Sequence, residues 1–342
     1  MRYSVGMYGG SFNPLHLGHV DCIIRAANQC LELFVVLSTG TNRAEVPALV
    51  RYRWLYTLTK HIGNVRIILL EDDAASKEAY DQSFWMRDAE KVKQQIGKPI
   101  DVVFCGSDYD KNSFWNICYP DSEIVIFERN EISSTELRKD LYGHWDWLPM
   151  IVRPYFVKKV LIIGTESTGT SVLTINLAHR FATNYIEEAG RELSERSGTD
   201  MRMLPADFTE ILLRQKISEI EAIENSNKIL FEDTDALVTL FFMEFLDDPD
   251  IARNSVLARA IDALNEYDLI LFLEPDVPFV QDGDRRIEQQ QERDLCSHRI
   301  KDIIESCGKK YHCLHGNYQE KYQKAVALTE ALLTPGGESV DA

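Results

Sequence analysis

The sequence predicts an α/β protein built of two doubly wound parallel-sheet domains. Strand-like and helix-like segments alternate in both halves, a glycine-rich loop follows the first strand of each half, and 342 residues suit two ordinary domains. We place one domain at 1–154 and the other at 155–333, because Pro149 and Pro154 interrupt the chain near the junction. The Gly- and acid-rich segment 334–342 is predicted to be a disordered tail.

Strands are predicted where a short apolar run is bounded by polar or turn residues, and helices where apolar residues recur at helical spacing. In the first half the predicted strands are 3–7, 33–37, 65–70, 101–105 and 124–127, and the predicted helices are 18–29, 51–61 and 83–95. In the second half strands are predicted at 160–163, 229–231 and 269–273, with helices between them and a core helix at 237–246. Ligands of such sheets bind beyond the carboxyl ends of the strands, where Gly9 and Ser107 are predicted to lie.

The composition is that of a globular protein, and its negative net charge limits the kinds of partner that it can bind. A net charge of −17 argues against broad nucleic-acid binding, because a phosphate backbone is held by clustered Lys and Arg. The seven cysteines are scattered and form no C-x-x-C pair, which favours reduced structural thiols in a cytoplasmic protein over a disulfide frame or a zinc site. Neither a signal peptide nor a membrane-spanning run is predicted.

The first glycine-rich segment, residues 9–19, reads GGSFNPLHLGH. Gly9 and Gly10 allow the backbone to approach an anion closely. His16 and His19 are three residues apart at a predicted helix start, so their side chains project to the same side of that helix end. The helix dipole there also favours a triphosphate. Nucleotidyl transfer depends on positioning and on stabilising the charge of phosphate oxygens, which two imidazole donors can supply. The alternative is a tight turn that contains a hydrogen-bonded histidine pair.

A second segment, residues 132–138, reads ISSTELR and supports the functional interpretation. Ser133, Ser134 and Thr135 begin a predicted helix, as in an anion site capped by hydroxyls. Arg138 is placed to clamp phosphate.

The second glycine-rich loop, residues 164–171, reads GTESTGTS and has the P-loop spacing G-x-x-x-x-G-K-[ST]. Thr170 stands where the lysine of this motif belongs, so the positive charge at the β- and γ-phosphates is missing. Ser171 can still ligate Mg²⁺. We expect a severe kinase defect unless Arg285 or Arg286 compensates.

These motifs resemble the nucleotidyltransferase superfamily with H-x-G-H and I-S-S-T-x-x-R signatures. Their combination with a P-loop resembles the bifunctional NadR family over about residues 3–333. The resemblance implies a Rossmann-like nicotinamide mononucleotide adenylyltransferase domain followed by a P-loop ribosylnicotinamide kinase-like domain, with ATP as co-substrate and Mg²⁺ as cofactor. Some members add an N-terminal DNA-binding module, which is not recognisable here, so we expect no repressor role.

The resemblance also implies roles for individual residues. His16 and His19 would stabilise the transition state, Arg138 would join them in catalysis, and Asp235 would contact or deprotonate the ribose hydroxyl of the kinase substrate. The metal ligands would be Ser171 and Asp233. The implied ATP-binding residues are Gly9, Gly10, Ser11, Phe12, Asn13, Gly18, Ser133, Ser134 and Thr135 in the first domain, and Gly164, Thr165, Glu166, Ser167, Thr168, Gly169, Thr170, Ser171, Arg285 and Arg286 in the second.

The residues that would read the substrates are less distinctive. Asn42 and Arg43 resemble the family's G-D-R segment, although Asn42 replaces its aspartate, and the run RYRW at 51–54 resembles R-F-R-W. A cationic pyridinium ring stacks well on indole, so Trp85 and Trp115 are candidates, with a slight preference for Trp85; either could equally belong to the core. The full set of predicted substrate residues is Asn42, Arg43, Arg51, Trp54, Trp85, Asp108, Trp115, Glu188 and Arg191.

Together these features predict an enzyme of NAD salvage, which makes NAD and pyrophosphate from ATP and nicotinamide mononucleotide. Phosphorylation of nicotinamide riboside by the second domain is predicted to be weak because of Thr170. Three alternatives stay open: a non-catalytic P-loop domain that binds a nucleotide or riboside, another acceptor such as nicotinate mononucleotide or phosphopantetheine, and a non-enzymatic binding module. Nucleic acid and membrane are not expected as partners, and the family habit allows a homo-oligomer.

Overall fold

A computed structural model describes residues 2–40, 46–71, 81–106, 114–128, 132–190, 193, 203–280 and 291–335. The chain divides into two compact units, Met1–Val152 and Arg153–Ala342. Within the described ranges, no helix is both long and apolar enough to span a bilayer.

The first unit contains one five-stranded parallel sheet. Its strands are β1 (Tyr3–Gly10), β2 (Cys30–Ser38), β3 (Val65–Leu70), β4 (Val102–Gly106) and β5 (Glu123–Phe127), and its helices are α1 (Leu17–Ala27), α2 (Ala48–Thr59), α3 (Gln82–Ile96), α4 (Phe114–Cys118) and α5 (Ser134–Lys139). A short 3₁₀ turn, Trp145–Trp147, follows. The strand order is β3-β2-β1-β4-β5, and all the pairs are parallel. The strand order therefore reverses at β1, next to β4, and this is where such sheets bind ligands.

The second unit contains another five-stranded parallel sheet. Its strands are β6 (Lys158–Gly164), β7 (Tyr185–Ile186), β8 (Ile229–Asp233), β9 (Leu269–Leu273) and β10 (His312–Leu314), and its helices are α6 (Thr170–Phe181), α7 (Pro205–Ile223), α8 (Ala236–Phe245), α9 (Ile251–Asp262), α10 (Arg293–Ser306) and α11 (Tyr318–Leu332). A 3₁₀ turn, Arg153–Phe156, precedes β6. The order β10-β9-β6-β8-β7 makes β6 the central strand, and all the pairs are parallel.

The strands of both sheets are apolar because helices cover both sheet faces. Every residue of β4, β8 and β9 is buried. In the first unit, α3 contributes Ala89, Val92 and Ile96 to the core on one face of the sheet. The same cluster contains Met7 of β1 and Cys105 of β4, so α3 packs on the face formed by these two strands.

The predicted α/β architecture is confirmed, and Val65–Leu70 and Leu269–Leu273 are strands to the residue. One placement was wrong: β1 continues through Gly10, so Gly9 lies within the strand instead of beyond it. Strands β7 and β10 escaped prediction because two or three residues are too few to show an alternating pattern.

Candidate active sites

His16 and His19 cap the first turn of α1 reciprocally. The backbone N–H of each donates to the ring Nδ1 of the other at 3.4 Å, and the two buried rings stack with their centroids 3.7 Å apart. A neutral imidazole whose Nδ1 accepts a hydrogen bond carries its proton on Nε2. With Nδ1 used as an acceptor, each ring would carry its proton on Nε2 and could donate it to a phosphate oxygen.

Close packing fixes the orientation of this ring pair. A Cβ atom on Gly18 would lie 3.1 Å from two ring atoms of His16, so the glycine leaves the space that the ring occupies. Phe12, which is buried and has a φ of +49°, meets the His19 ring edge to face at a centroid distance of 5.0 Å. The spacing of the H-x-G-H motif thus has a steric reason as well as a chemical one.

The segment before α5 lies beside the same histidines. The carbonyl oxygen of Ile132 is 3.6 Å from the Cβ position of Gly18. Arg138 Nη1 donates to the carbonyl of Asn13 at 2.7 Å. Ser133 caps α5, because its Oγ accepts from the Glu136 backbone N–H at 3.1 Å. The fold therefore brings together the 9–19 and 132–138 motifs, which are more than a hundred residues apart in sequence.

Glycines and a threonine hydroxyl determine the conformation of the loop between β6 and α6. Thr168 Oγ1 donates to the carbonyl of Thr165 at 2.8 Å, and Gly169 precedes α6 with a φ of +93°. A Cβ on Gly164 would come within 2.6 Å of Thr168 Oγ1, so this position needs glycine. Thr170 and Ser171 are the first two residues of α6. The loop thus keeps its P-loop course although it has no lysine at Thr170.

Asp233 and Asp235 lie at the carboxyl end of β8, beside the P-loop strand. Asp233 is the last residue of β8, and Asp235 caps α8 through Oδ1, which accepts from Leu237 N–H at 2.9 Å and from Val238 N–H at 3.3 Å. Burial raises the pKa of Asp235 to about 6, against the opposing charge of Lys309. A carboxylate with this pKa is a better proton acceptor at neutral pH than an ordinary aspartate.

Comparisons with known proteins cover both units. A cytidylyltransferase-like family matches residues 7–140, and an AAA domain family matches residues 159–321. The trifunctional NAD biosynthesis/regulator protein NadR of Salmonella typhimurium is 25% identical over 350 residues, which cover 98% of this chain and 84% of that protein. A crystal structure of NadR in complex with NAD and AMP-PNP has a TM-score of 0.76 at 21% identity and covers 99% of this chain and 98% of that one. The chain is thus similar to NadR over nearly its whole length.

A further relative concerns the first unit of this NadR-like chain alone. The phosphopantetheine adenylyltransferase of Mycoplasma capricolum is 32% identical over 124 residues, which cover 32% of this chain and 89% of that protein. The NadR-like chain is therefore an adenylyltransferase-type enzyme in its first unit and carries a P-loop domain in its second.

Arg51 of the NadR-like chain, predicted as a substrate contact, has a positioning role instead. It is 1% exposed, and its guanidinium donates to four backbone carbonyls: Nε to Val46, Nη1 to Ser11 and Ser38, and Nη2 to Thr39, at 2.5–2.9 Å. Burial lowers its pKa. Arg51 thereby ties the segment after β1 to the end of β2. Its place on the buried face of α2 with Trp54 and Leu55 is the sequence signal that could have revealed this role.

Replacing Arg51 by Met is expected to destabilise the first unit by at least about 3 kcal/mol, because buried carbonyls would lose their donors. The matched control is Arg53→Met on the same helix, since Arg53 is exposed and such substitutions usually change stability by less than about 0.5 kcal/mol. All five tryptophans lie before Val152, so tryptophan fluorescence during urea unfolding follows this unit selectively. Equal midpoints for the two variants would show that Arg51 does not hold the loops.

Arg293 has the same positioning role in the second unit of the NadR-like chain, and no motif in the sequence indicates it. Its Nε donates to the carbonyl of Glu166 at 3.2 Å, its Nη2 to that of Ser167 at 2.8 Å, and its Nη1 to those of Pro275 and Val277 at 3.3 and 2.6 Å. Each candidate site is thus built around a buried arginine that fixes backbone carbonyls.

The aromatic candidates lie next to the first site. Trp115 is buried and contacts Gly9 so closely that a Cβ there would be 3.0 Å from its ring. Phe114 joins the two tryptophans, with centroid distances of 4.3 Å to Trp115 and 5.3 Å to Trp85. Trp85 is half-buried and therefore has more surface to offer a ligand. Trp54 is buried in α2, which packs it into the core.

Several predicted site residues cannot be placed. Asn42, Arg43, Asp108, Arg191, Arg285 and Arg286 lie outside the described residues, as does Ser107. Glu188 is described and follows β7 at the carboxyl edge of the second sheet. Their contacts with substrates stay predictions.

Proposed function

We propose that the first unit transfers the AMP group of ATP to nicotinamide mononucleotide, giving NAD and pyrophosphate. The observation that carries this proposal is the stacked His16–His19 pair, whose Nδ1 atoms each accept a backbone N–H and which lies beside the 132–138 segment. The NadR relative is named as a protein of NAD biosynthesis, and this supports the choice of acceptor.

The reaction needs no covalent intermediate with the protein. A phosphate oxygen of nicotinamide mononucleotide attacks the α-phosphorus of ATP, the bond to the bridging oxygen breaks, and pyrophosphate leaves. His16 and His19 would donate to the oxygens of the α-phosphate as charge develops on them. Arg138 and the hydroxyls of Ser133, Ser134 and Thr135 would hold the β- and γ-phosphates, and the bond from Arg138 to Asn13 fixes that arginine at the site.

For the second unit we propose a ribosylnicotinamide kinase fold whose phosphate transfer is weakened by Thr170. Asp235 would accept the proton of the ribose hydroxyl through its buried Oδ2, which has no hydrogen-bond partner in the described part of the chain. Ser171 and Asp233 provide the hydroxyl and carboxylate oxygens that Mg²⁺ prefers. That ion would neutralise charge on the transferred phosphate.

A non-catalytic second unit is the competing proposal, and the uncharged Thr170 favours it. Such a unit would bind a nucleotide or riboside and regulate the first. Other acceptors for the first unit are nicotinate mononucleotide and phosphopantetheine, the latter supported by the 32% identical adenylyltransferase.

The purified chain is expected to form NAD from ATP and nicotinamide mononucleotide, and little or none from ATP and nicotinamide riboside. The assay measures NAD and pyrophosphate separately with each acceptor, alongside nicotinate mononucleotide and phosphopantetheine. NAD from both nicotinamide compounds at similar rates would mean that phosphate transfer works without the lysine. Pyrophosphate release with a different acceptor alone would overturn the assignment of nicotinamide mononucleotide.

A further inference from the structure

Three potential metal ligands of different chemistry meet at one edge of the second sheet. Strands β9 and β10 are parallel neighbours, and Leu273 pairs with Leu314. Glu274 directly follows β9, Cys313 is in β10, and His315 directly follows β10. Alternate residues along a strand project to the same face, which brings Cys313 and His315 together.

The ligand atoms of these residues are close enough to share one ion. One carboxylate oxygen of Glu274, Sγ of Cys313 and one ring nitrogen of His315 all lie within 4.8 Å of one another. In a tetrahedral zinc site the ligand atoms are roughly 3.5 Å apart, given bonds of about 2.0–2.3 Å. A rotation of the His315 side chain toward the other two ligands can shorten these distances, because that side chain is 68% exposed.

We propose that Glu274, Cys313 and His315 form a binding site for a divalent transition-metal ion of the zinc type. Sulfur, imidazole nitrogen and carboxylate oxygen are all ligands that Zn²⁺ accepts, whereas Mg²⁺ demands oxygen. The site is therefore chemically distinct from the Mg²⁺ position proposed at Ser171 and Asp233. Three protein ligands would leave a fourth position for water.

Glu274 is held by a neighbouring lysine, and His315 has a carboxylate nearby. Lys301 Nζ donates to Glu274 Oε1 at 2.5 Å, and the Cys313 thiol is hydrogen-bonded to the same carboxylate, a bond that the ion would replace. Asp276 Oδ2 is 3.8 Å from His315 Nδ1 and accepts from the Gly316 backbone N–H at 2.8 Å. A carboxylate that receives one ring N–H of a metal-bound histidine is a common supporting contact, and it would direct Nε2 of His315 to the ion.

The charge of the bound ion would be neutralised by its ligands. Cys313 enters as a thiol and binds as a thiolate, so about one proton passes to solvent for each ion bound. The thiolate and the Glu274 carboxylate then offset the two positive charges of the ion, and Lys301 keeps its own bond to Glu274. The short sequence spacing typical of zinc motifs is absent, because Glu274 is far from Cys313 in the chain and joins it through strand pairing.

The proposal is tested on the full-length chain, reduced and stripped of metal, by titration with Zn²⁺ and with Co²⁺. We expect one Zn²⁺ per chain and a Co²⁺ complex with a sulfur-to-cobalt charge-transfer absorption band. Cys313→Ser should abolish that band, and Cys313→Ser and His315→Asn should each weaken Zn²⁺ binding by more than about tenfold, since even supporting contacts are worth 10–100-fold.

The matched controls are Cys307→Ser and His298→Gln, which alter a partly exposed cysteine and an exposed histidine outside the cluster. Both controls should bind Zn²⁺ like the parent chain. Absence of stoichiometric binding would overturn the proposal. So would binding that the Cys313 and His315 substitutions leave unchanged, because the ion would then be adventitious or held elsewhere.

Discussion

Replacing Thr170 by lysine is expected to raise phosphate transfer from ATP to nicotinamide riboside by roughly 10³-fold or more, since a comparable cation, the arginine finger, is worth 10³–10⁵ in rate. The structural reason is that the loop needs no rebuilding. Gly164 and Gly169 already give the loop its course, and Thr168 closes it by bonding to Thr165. Lysine at the first position of α6 would add the missing charge to a preformed loop.

The control for this substitution is Thr170→Met, which supplies comparable length without charge. Both variants are assayed for phosphorylation of nicotinamide riboside, with NAD formation from nicotinamide mononucleotide as the internal reference for an intact first unit. A gain in the lysine variant alone would show that charge limits the parent. Equal gains in both variants, or a parent already as fast as the lysine variant, would contradict this explanation.

Arg285 and Arg286 would explain rapid phosphate transfer by the parent chain if one of them supplies the charge that Thr170 lacks. If either arginine replaces the P-loop lysine, then Arg285→Met with Arg286→Met should reduce phosphate transfer in the parent but have less effect once Thr170 is lysine. A larger loss in the parent than in the Thr170→Lys background would show that these two arginines supply the compensating charge.

The fold was largely predictable because it depends on local patterns that repeat. Apolar runs such as Val65–Leu70 and Leu269–Leu273 are long enough to show their strands, and glycine-rich loops mark where the first strand of each sheet ends. The histidine pair could be predicted as well, because the cap that orients it joins residues three apart. These features could be predicted because the residues that form each of them are close together in the sequence.

What escaped prediction depends on contacts between distant segments. In a sequence, Arg51 near a nucleotide motif looks like a ligand for phosphate, yet its donors are used by carbonyls from three separate segments. Arg293 lies more than a hundred residues from the P-loop carbonyls that it binds. Likewise, Cys313 and Glu274 meet only because β10 pairs with β9.

Replacing either His16 or His19 by Asn is expected to lower kcat for adenylyl transfer by about 10²–10³, the usual effect of losing one donor to transition-state charge. Asn is the suitable substitution because its side-chain oxygen can still accept the backbone N–H that Nδ1 accepts now, and Asn is a favoured helix cap. What it removes is the Nε2–H donor. The measurement is NAD formation from nicotinamide mononucleotide at saturating ATP.

The effect should fall on kcat more than on KM, because the donors act on charge that develops only in the transition state. His144→Asn is the control, since His144 stacks on Trp147 outside the 9–19 and 132–138 motifs and should leave kcat unchanged. The double variant of His16 and His19 should lose less than the product of the single effects, because each histidine orients the other. Single variants with full activity would mean that the reciprocal cap is structural and that the phosphate donors lie elsewhere in the unit.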